Sequence, residues 1–141
     1  GGSAAESQHF AAELVGRFKL SGRKELQVLA LTAETSFLTA WSNDIGYDQI
    51  FSRQIDAFGQ AGDILIGIST SGHSTNVIEA FQTARKLEIT TIGLLGGDGG
   101  EILPLSDHAV VVPASSTARI QEVQLMALHL IADLVERQVA P

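Results

Sequence analysis

No cysteine occurs in the 141-residue chain, which excludes a disulfide framework and any thiolate metal site. Charge is scarce too: charged residues make up 18% and hydrophobic residues 45%, a globular balance rather than a disordered one. The charge present leans acidic, with a formal net charge of −7. An acidic chain repels nucleic acid and anionic membrane surfaces at long range, and no basic patch or DNA-binding helix pair offsets this. No apolar run reaches the ~18 residues of a spanning helix, and no basic-then-apolar leader opens the chain. Internal repeats, low-complexity tracts and long linkers are missing, so residues 1–141 are expected to form a single domain. A cytoplasmic address fits this composition.

What is present reads as alternating strands and helices. Ser3 and Glu6 have capping-box spacing ahead of a helix expected from Ser3 to Phe18. A polar turn follows at 20–24, and Gln27 to Thr32 reads as a short apolar strand. A short helix is expected from Glu34 to Trp41, broken at Ser42-Asn43-Asp44, and another from Asp48 to Phe58. Asp63–Ser69, Thr90–Leu95 and His108–Val112 are continuous apolar runs that suit strands buried on both faces. Between them lie an amphipathic helix, Thr75 to Leu87, and a glycine-rich loop, 96–100; Thr117 is expected to cap a final helix reaching Arg137. This order predicts an α/β fold, with a central parallel sheet and ligand-binding loops at the carboxyl ends of its strands.

Two constellations carry chemistry. Ser69-Thr70-Ser71-Gly72-His73-Ser74 joins an expected strand to an expected helix. Its hydroxyls, a glycine able to take positive φ, and the unpaired N–H groups of a helix start can hold a phosphate without lysine or arginine. The same residues would also serve as an ordinary capped turn. Elsewhere, His9, Glu13 and Arg17 are spaced i, i+4, i+8, and Gln121 and His129 lie eight apart on the final helix. Two facing helices could bring both histidines, the glutamate and the glutamine together. Taken singly, His9 and Glu13 also fit a surface pair, and His129, inside Leu125–Ile131, fits a core or interface histidine.

These residues resemble a known family. Ile68-Ser69-Thr70-Ser71-Gly72-His73-Ser74 after an apolar strand is similar to the phosphosugar loop of the SIS family. Gly1-Gly2-Ser3-Ala4-Ala5, Gln8-His9-Phe10-Ala11-Ala12-Glu13-Leu14 and Ala118-Arg119-Ile120-Gln121-Glu122, with His129 beyond, resemble the signature of its phosphoheptose isomerase branch, as do Ser42-Asn43-Asp44 and Phe51-Ser52-Arg53-Gln54. The resemblance implies a three-layer, flavodoxin-like SIS fold with helices on both faces of the sheet. It implies one zinc ion per subunit on His9, Glu13, Gln121 and His129, and acid–base roles for Glu13 and His129. Substrate contacts would fall to Ser3, Arg17, Asn43, Asp44, Ser69, Thr70, Ser71, Ser74 and Gln121; His73 receives no role. The implied reaction is ketose–aldose isomerisation of sedoheptulose 7-phosphate, for lipopolysaccharide or capsule heptose synthesis.

The implied assembly is a homotetramer with sites at subunit interfaces, built on a final helix that is apolar over much of its girth. The chain opens on Gly1-Gly2-Ser3 without an initiator methionine, and the family's preceding Asn-Gly is missing, so an upstream helical segment is expected. Two rivals come from the same family. One is a non-enzymatic regulator that binds the bacterial replication initiator; it lacks counterparts of Glu13 and His129, both present here. The other is a sugar-phosphate-sensing module.

Overall fold

A computed structural model describes residues 1–140. Three parallel strands form the sheet: β1 (Ile64–Ser69), β2 (Thr90–Gly96) and β3 (His108–Val112), in the order β1-β2-β3. Ile66 pairs with Ile92, and Ile92 with His108. Side chains alternate across the pleat, so neighbouring β2 residues feed two cores. Leu94 packs with Phe10, Leu14, Leu128 and Ala132, whereas Leu95 packs with Val77, Phe81 and Ile102. Helices α1 (Gly2–Val15) and α5 (Thr117–Val139) therefore cover one face, and α3 (Ser52–Phe58) and α4 (Thr75–Lys86) the other. The expected three-layer α/β architecture is what forms.

Helix α4 buries Val77, Ala80, Phe81 and Ala84, the i, i+3, i+4, i+7 stripe of an amphipathic helix. Phe81 is fully buried; a side chain of that size removed from water contributes about 1.5–3 kcal/mol. The remaining helix, α2 (Thr35–Asp44), buries no residue of its own and rests beside a 3-10 turn, Tyr47–Gln49.

Several sequence expectations need correction. Residues 27–32 are not a strand: the carbonyls of Leu31 and Thr32 accept from Gln54 Nε2 and Gln8 Nε2, so side-chain amides replace a strand ladder. The capping box does not form. Helix α1 starts one residue early, at Gly2, without a side-chain cap, and Glu6 turns inward instead. It also stops at Val15, short of Phe18, and the Asp48–Phe58 segment divides into the 3-10 turn and α3. Helix α2 continues through Ser42-Asn43-Asp44, and Ser116, not Thr117, precedes α5. As a sheet edge, β3 leaves His108, Ala109 and Val110 exposed, so it is not buried on both faces.

The segment after α1 is tied down by one carboxylate. Glu136 accepts the backbone N–H groups of Phe18, Lys19 and Leu20 and the Nε of Arg23. Burial alone would raise its pKa, but these donors outweigh burial and hold it at about 2, below the ordinary 4.5. The unfolded chain therefore takes up this proton first as pH falls. The stability Glu136 provides is complete above about pH 4.5 and disappears between there and about 2. Asp107, held down chiefly by the Thr91 N–H, and Asp133, by Arg137, act in the same direction. Glu6, raised by burial, opposes them. The expected result is a urea midpoint that drops between pH 5 and pH 3, with a shallower drop for Glu136→Gln; equal pH dependence in both proteins would contradict the assignment.

Candidate active site

Helices α1 and α5 run side by side in the same direction. Gly2 meets Gln121, His9 meets His129, and Lys19, just past α1, pairs with Asp133. The apolar contacts of Phe10 and Leu14 with Leu128 and Ala132 lock this register. One consequence is that polar residues on the adjoining strip of each helix converge. His9 Nε2 lies 2.9 Å from Glu13 Oε1 and 3.2 Å from His129 Nε2, and His129 Nε2 lies 3.4 Å from Glu13 Oε1. His9 and His129 are half open to solvent, at 54% and 37%, whereas Glu13 is 14% exposed. The second Glu13 oxygen, Oε2, is buried with no hydrogen-bond partner. Phe18 stacks on the His129 ring, with centroids 5.5 Å apart and planes 18° apart.

The convergence lies within one chain. The expectation that these helices complete a pocket only between subunits is therefore revised for the two histidines and the glutamate. Arg17 does not extend the stripe, because α1 has ended and Arg17 is exposed on the following loop. Gln121 sits eight residues before His129, about 12 Å along the helix axis. Its amide packs over Gly2, where an added Cβ would lie 2.5 Å from Nε2. Ser3 is part-buried in the first turn of α1, near the same end of the seam.

The hydroxyl-rich turn occupies the carboxyl end of β1, as a parallel sheet requires of a binding loop. Ser69 ends the strand; its Oγ accepts the Gly72 N–H and lies 3.0 Å from the Ser74 Oγ. Ser71 Oγ accepts the His73 N–H. Ser74 precedes α4 without capping it through its side chain, so this hydroxyl remains free of the helix N–H groups beside it. Gly72 takes φ +70° and Gly100 φ +53°. The two backbones touch, and a Cβ on Gly100 would lie 2.5 Å from the Gly72 carbonyl, which accepts from Ile102 N–H. Thr70 crosses the end of β2: a Cβ on Gly96 would meet both the Thr70 carbonyl and Ile120 at the start of α5. The turn and the α1/α5 seam thus share one edge of the molecule. Asn43 and Asp44 are on the exposed end of α2, where Asn43 Nδ2 donates to Asp44 Oδ1 at 2.8 Å.

The family model described as SIS domain matches residues 1–96. The chain is 55% identical to a phosphoheptose isomerase of Sulfurimonas denitrificans, over 99% of this chain and 71% of that protein. A phosphoheptose isomerase of Geobacter sulfurreducens is 53% identical, over 100% of this chain and 74% of its own. This chain belongs to the SIS family, among its phosphoheptose isomerases. Solved phosphoheptose isomerases have the same fold. That of Neisseria gonorrhoeae superposes with a TM-score of 0.91 at 47% identity, covering 97% of this chain and 72% of that one. That of Francisella tularensis gives 0.93 at 36% identity, covering 97% and 73%.

The phosphoheptose isomerase signature implies a divalent cation, and the observed donor set can be tested for it. Zinc bonds of about 2.0–2.2 Å to nitrogen and oxygen give tetrahedral edges of roughly 3.3–3.6 Å. Of the three ligand-atom separations, 3.4 Å falls within that range and 2.9 and 3.2 Å fall a few tenths of an ångström below it. Two imidazole Nε2 atoms facing each other at 3.2 Å also need a proton or a cation between them. His9, Glu13 and His129 therefore fit a divalent ion, and nitrogen and oxygen donors without sulfur suit zinc without excluding other divalent ions.

Two contributors were not singled out from the sequence. Arg23 was part of a polar turn and Glu136 part of the tail of a helix. The available signal was Glu136 itself, a carboxylate seven residues beyond His129 on a largely apolar helix.

Proposed function

We propose that this chain interconverts sedoheptulose 7-phosphate and D-glycero-D-manno-heptose 7-phosphate, supplying heptose for lipopolysaccharide core or capsule synthesis in the cytoplasm. The observation that carries this reading is the meeting of Glu13 with His9 and His129 in one chain. Ketose–aldose exchange moves a proton between adjacent carbons through an enediol. It requires a base at carbon and an acid at oxygen. Glu13 is the base, the one carboxylate among the three converging side chains. His129, across the seam, is the acid, with Phe18 stacked on its ring fixing the imidazole plane; with an ion on Nε2, the proton it gives would be the one on Nδ1. Zinc bound by His9, Glu13 and His129 would supply a Lewis acid for the carbonyl oxygen; the Gln121 amide, which packs over Gly2, would have to turn toward the ion to be a further ligand.

Ser69, Thr70, Ser71 and Ser74 hold the phosphate through hydroxyls and the N–H groups opening α4. Ser3, Asn43, Asp44 and Gln121 contact the sugar chain, whereas Arg17, exposed on the loop after α1, is left out of the site. Incubation with sedoheptulose 7-phosphate, with and without zinc, followed by NMR, tests the reading: aldose should appear. Binding without conversion would instead make the protein a sensor, and neither binding nor conversion would leave a scaffold.

A homotetramer is part of this proposal. Met126, Leu130 and Leu134 form an exposed i, i+4, i+8 apolar stripe on α5, opposite the face that packs on the sheet, and such contiguous patches mark association surfaces. Light scattering should give a multimer that Leu130→Glu dissociates. A monomeric parent protein would refute the assembly.

A further inference from the structure

A buried ion pair plays no part in the chemistry above, yet it is connected to both of the proposed catalytic groups. Glu136 lies on α5 seven residues, about two turns, beyond His129. Its side chain is 0% exposed and that of its partner Arg23 1%. Arg23 Nε donates to Glu136 Oε1 at 2.8 Å, and Arg23 Nη2 donates to the backbone carbonyl of Glu13 at 2.6 Å. That carbonyl is in the last turn of α1, where helix carbonyls lack intrahelical donors and a cation is favourable. Glu136 Oε1 also accepts the N–H of Phe18 at 2.7 Å, and Phe18 is the residue whose ring stacks on His129. One carboxylate thus reaches Glu13 through a guanidinium, and His129 through a phenyl ring.

Stability alone is a poor reason for such a pair. Desolvating two ions costs about as much as their attraction returns, and apolar replacements of buried pairs are often neutral or better. A buried pair does, however, specify geometry, because only one arrangement satisfies all of its donors.

We propose that Arg23, Glu136 and Phe18 are positioning residues that hold Glu13 and His129 at the separation a divalent cation requires. The inference rests on the site reading above. Arg23→Lys keeps the charge but cannot reach Glu136 and the Glu13 carbonyl together, and Phe18→Leu removes the stacked ring while remaining apolar. Each variant should bind Zn²⁺ about 10-fold or more weakly in a competitive titration, the usual cost of removing support behind a ligand. Each should also lower kcat on sedoheptulose 7-phosphate with KM nearly unchanged.

A purely structural role would lower the melting temperature but leave the Zn²⁺ affinity and kcat of the folded fraction at parental values; that result overturns the proposal. So does a parent chain that binds no zinc. If Arg23→Lys does not fold, Phe18→Leu decides. If the parent binds zinc but does not isomerise the sugar, the functional reading falls and the titration alone decides the positioning role.

Discussion

Glu13→Gln should lower kcat by about 10²–10⁴-fold, the range expected for loss of a general base. KM should move far less, because the hydroxyls and helix N–H groups that would hold the phosphate are on a different element, the turn after β1. Glutamine keeps the size of the side chain and can still accept a hydrogen bond, but it cannot take up a proton from carbon. Glu13 has two oxygens in different settings: Oε1 faces both imidazoles, and Oε2 is buried without a donor. The variant therefore tests two functions, and they separate experimentally. Exchange of the substrate's carbon-bound proton with solvent deuterium reports the base, whereas a zinc titration reports the ligand. Exchange restored by excess zinc would assign Glu13 to metal binding only, and unchanged turnover would remove it from the mechanism.

The second large effect is expected from Gly72→Ala. Alanine at φ +70° costs about 1–2 kcal/mol through the clash of its Cβ with the neighbouring carbonyl. The new Cβ would also run into the Gly99 carbonyl and the Gly100 N–H. Neither neighbour gives way easily: Gly99 N–H is bonded to the Gly96 carbonyl, and Ile102 N–H to that of Gly72 itself. The turn must move, and with it the Ser69 and Ser74 hydroxyls that stand 3.0 Å apart. A hydroxyl or N–H contact to a charged phosphate that the displaced turn forfeits is about 1.5–3 kcal/mol, and each 1.4 kcal/mol is about tenfold in affinity, so KM for the sugar phosphate should rise about tenfold or more, as should the inhibition constant of inorganic phosphate. Zinc affinity should stay at the parental level, because His9, Glu13 and His129 lie on α1 and α5. A folded variant with unchanged KM would move the phosphate elsewhere.

The two substitutions differ in how visible their targets were beforehand. Glu13 stood out by spacing and Gly72 by its place in a hydroxyl-rich turn. The collision partner of Gly72 did not: 96–100 reads only as a glycine-rich loop, and the fold alone shows that it grips the turn. Arg17 illustrates the opposite error. Its i, i+8 spacing from His9 was correct arithmetic applied to a helix that ends at Val15, where the segment turns away to wrap Glu136. Residues 27–32 failed as a strand for a similar reason, since an apolar run forms a strand only if a neighbour offers its ladder. Glutamine side chains from α1 and α3 bond the Leu31 and Thr32 carbonyls instead.

By itself the sequence determined the alternation of strands and helices, the identity of β1, β2 and β3 within a residue or two, the hydroxyl-rich turn and the candidate histidines and glutamate. These are local properties, set by hydrophobic period and turn chemistry over a few residues. Tertiary structure alone decided that α1 and α5 run parallel in a register placing His9 against His129, 120 positions apart. It also decided that Arg23 and Glu136 meet behind them. Such contacts depend on which apolar faces share a core, and no short window of sequence contains both partners.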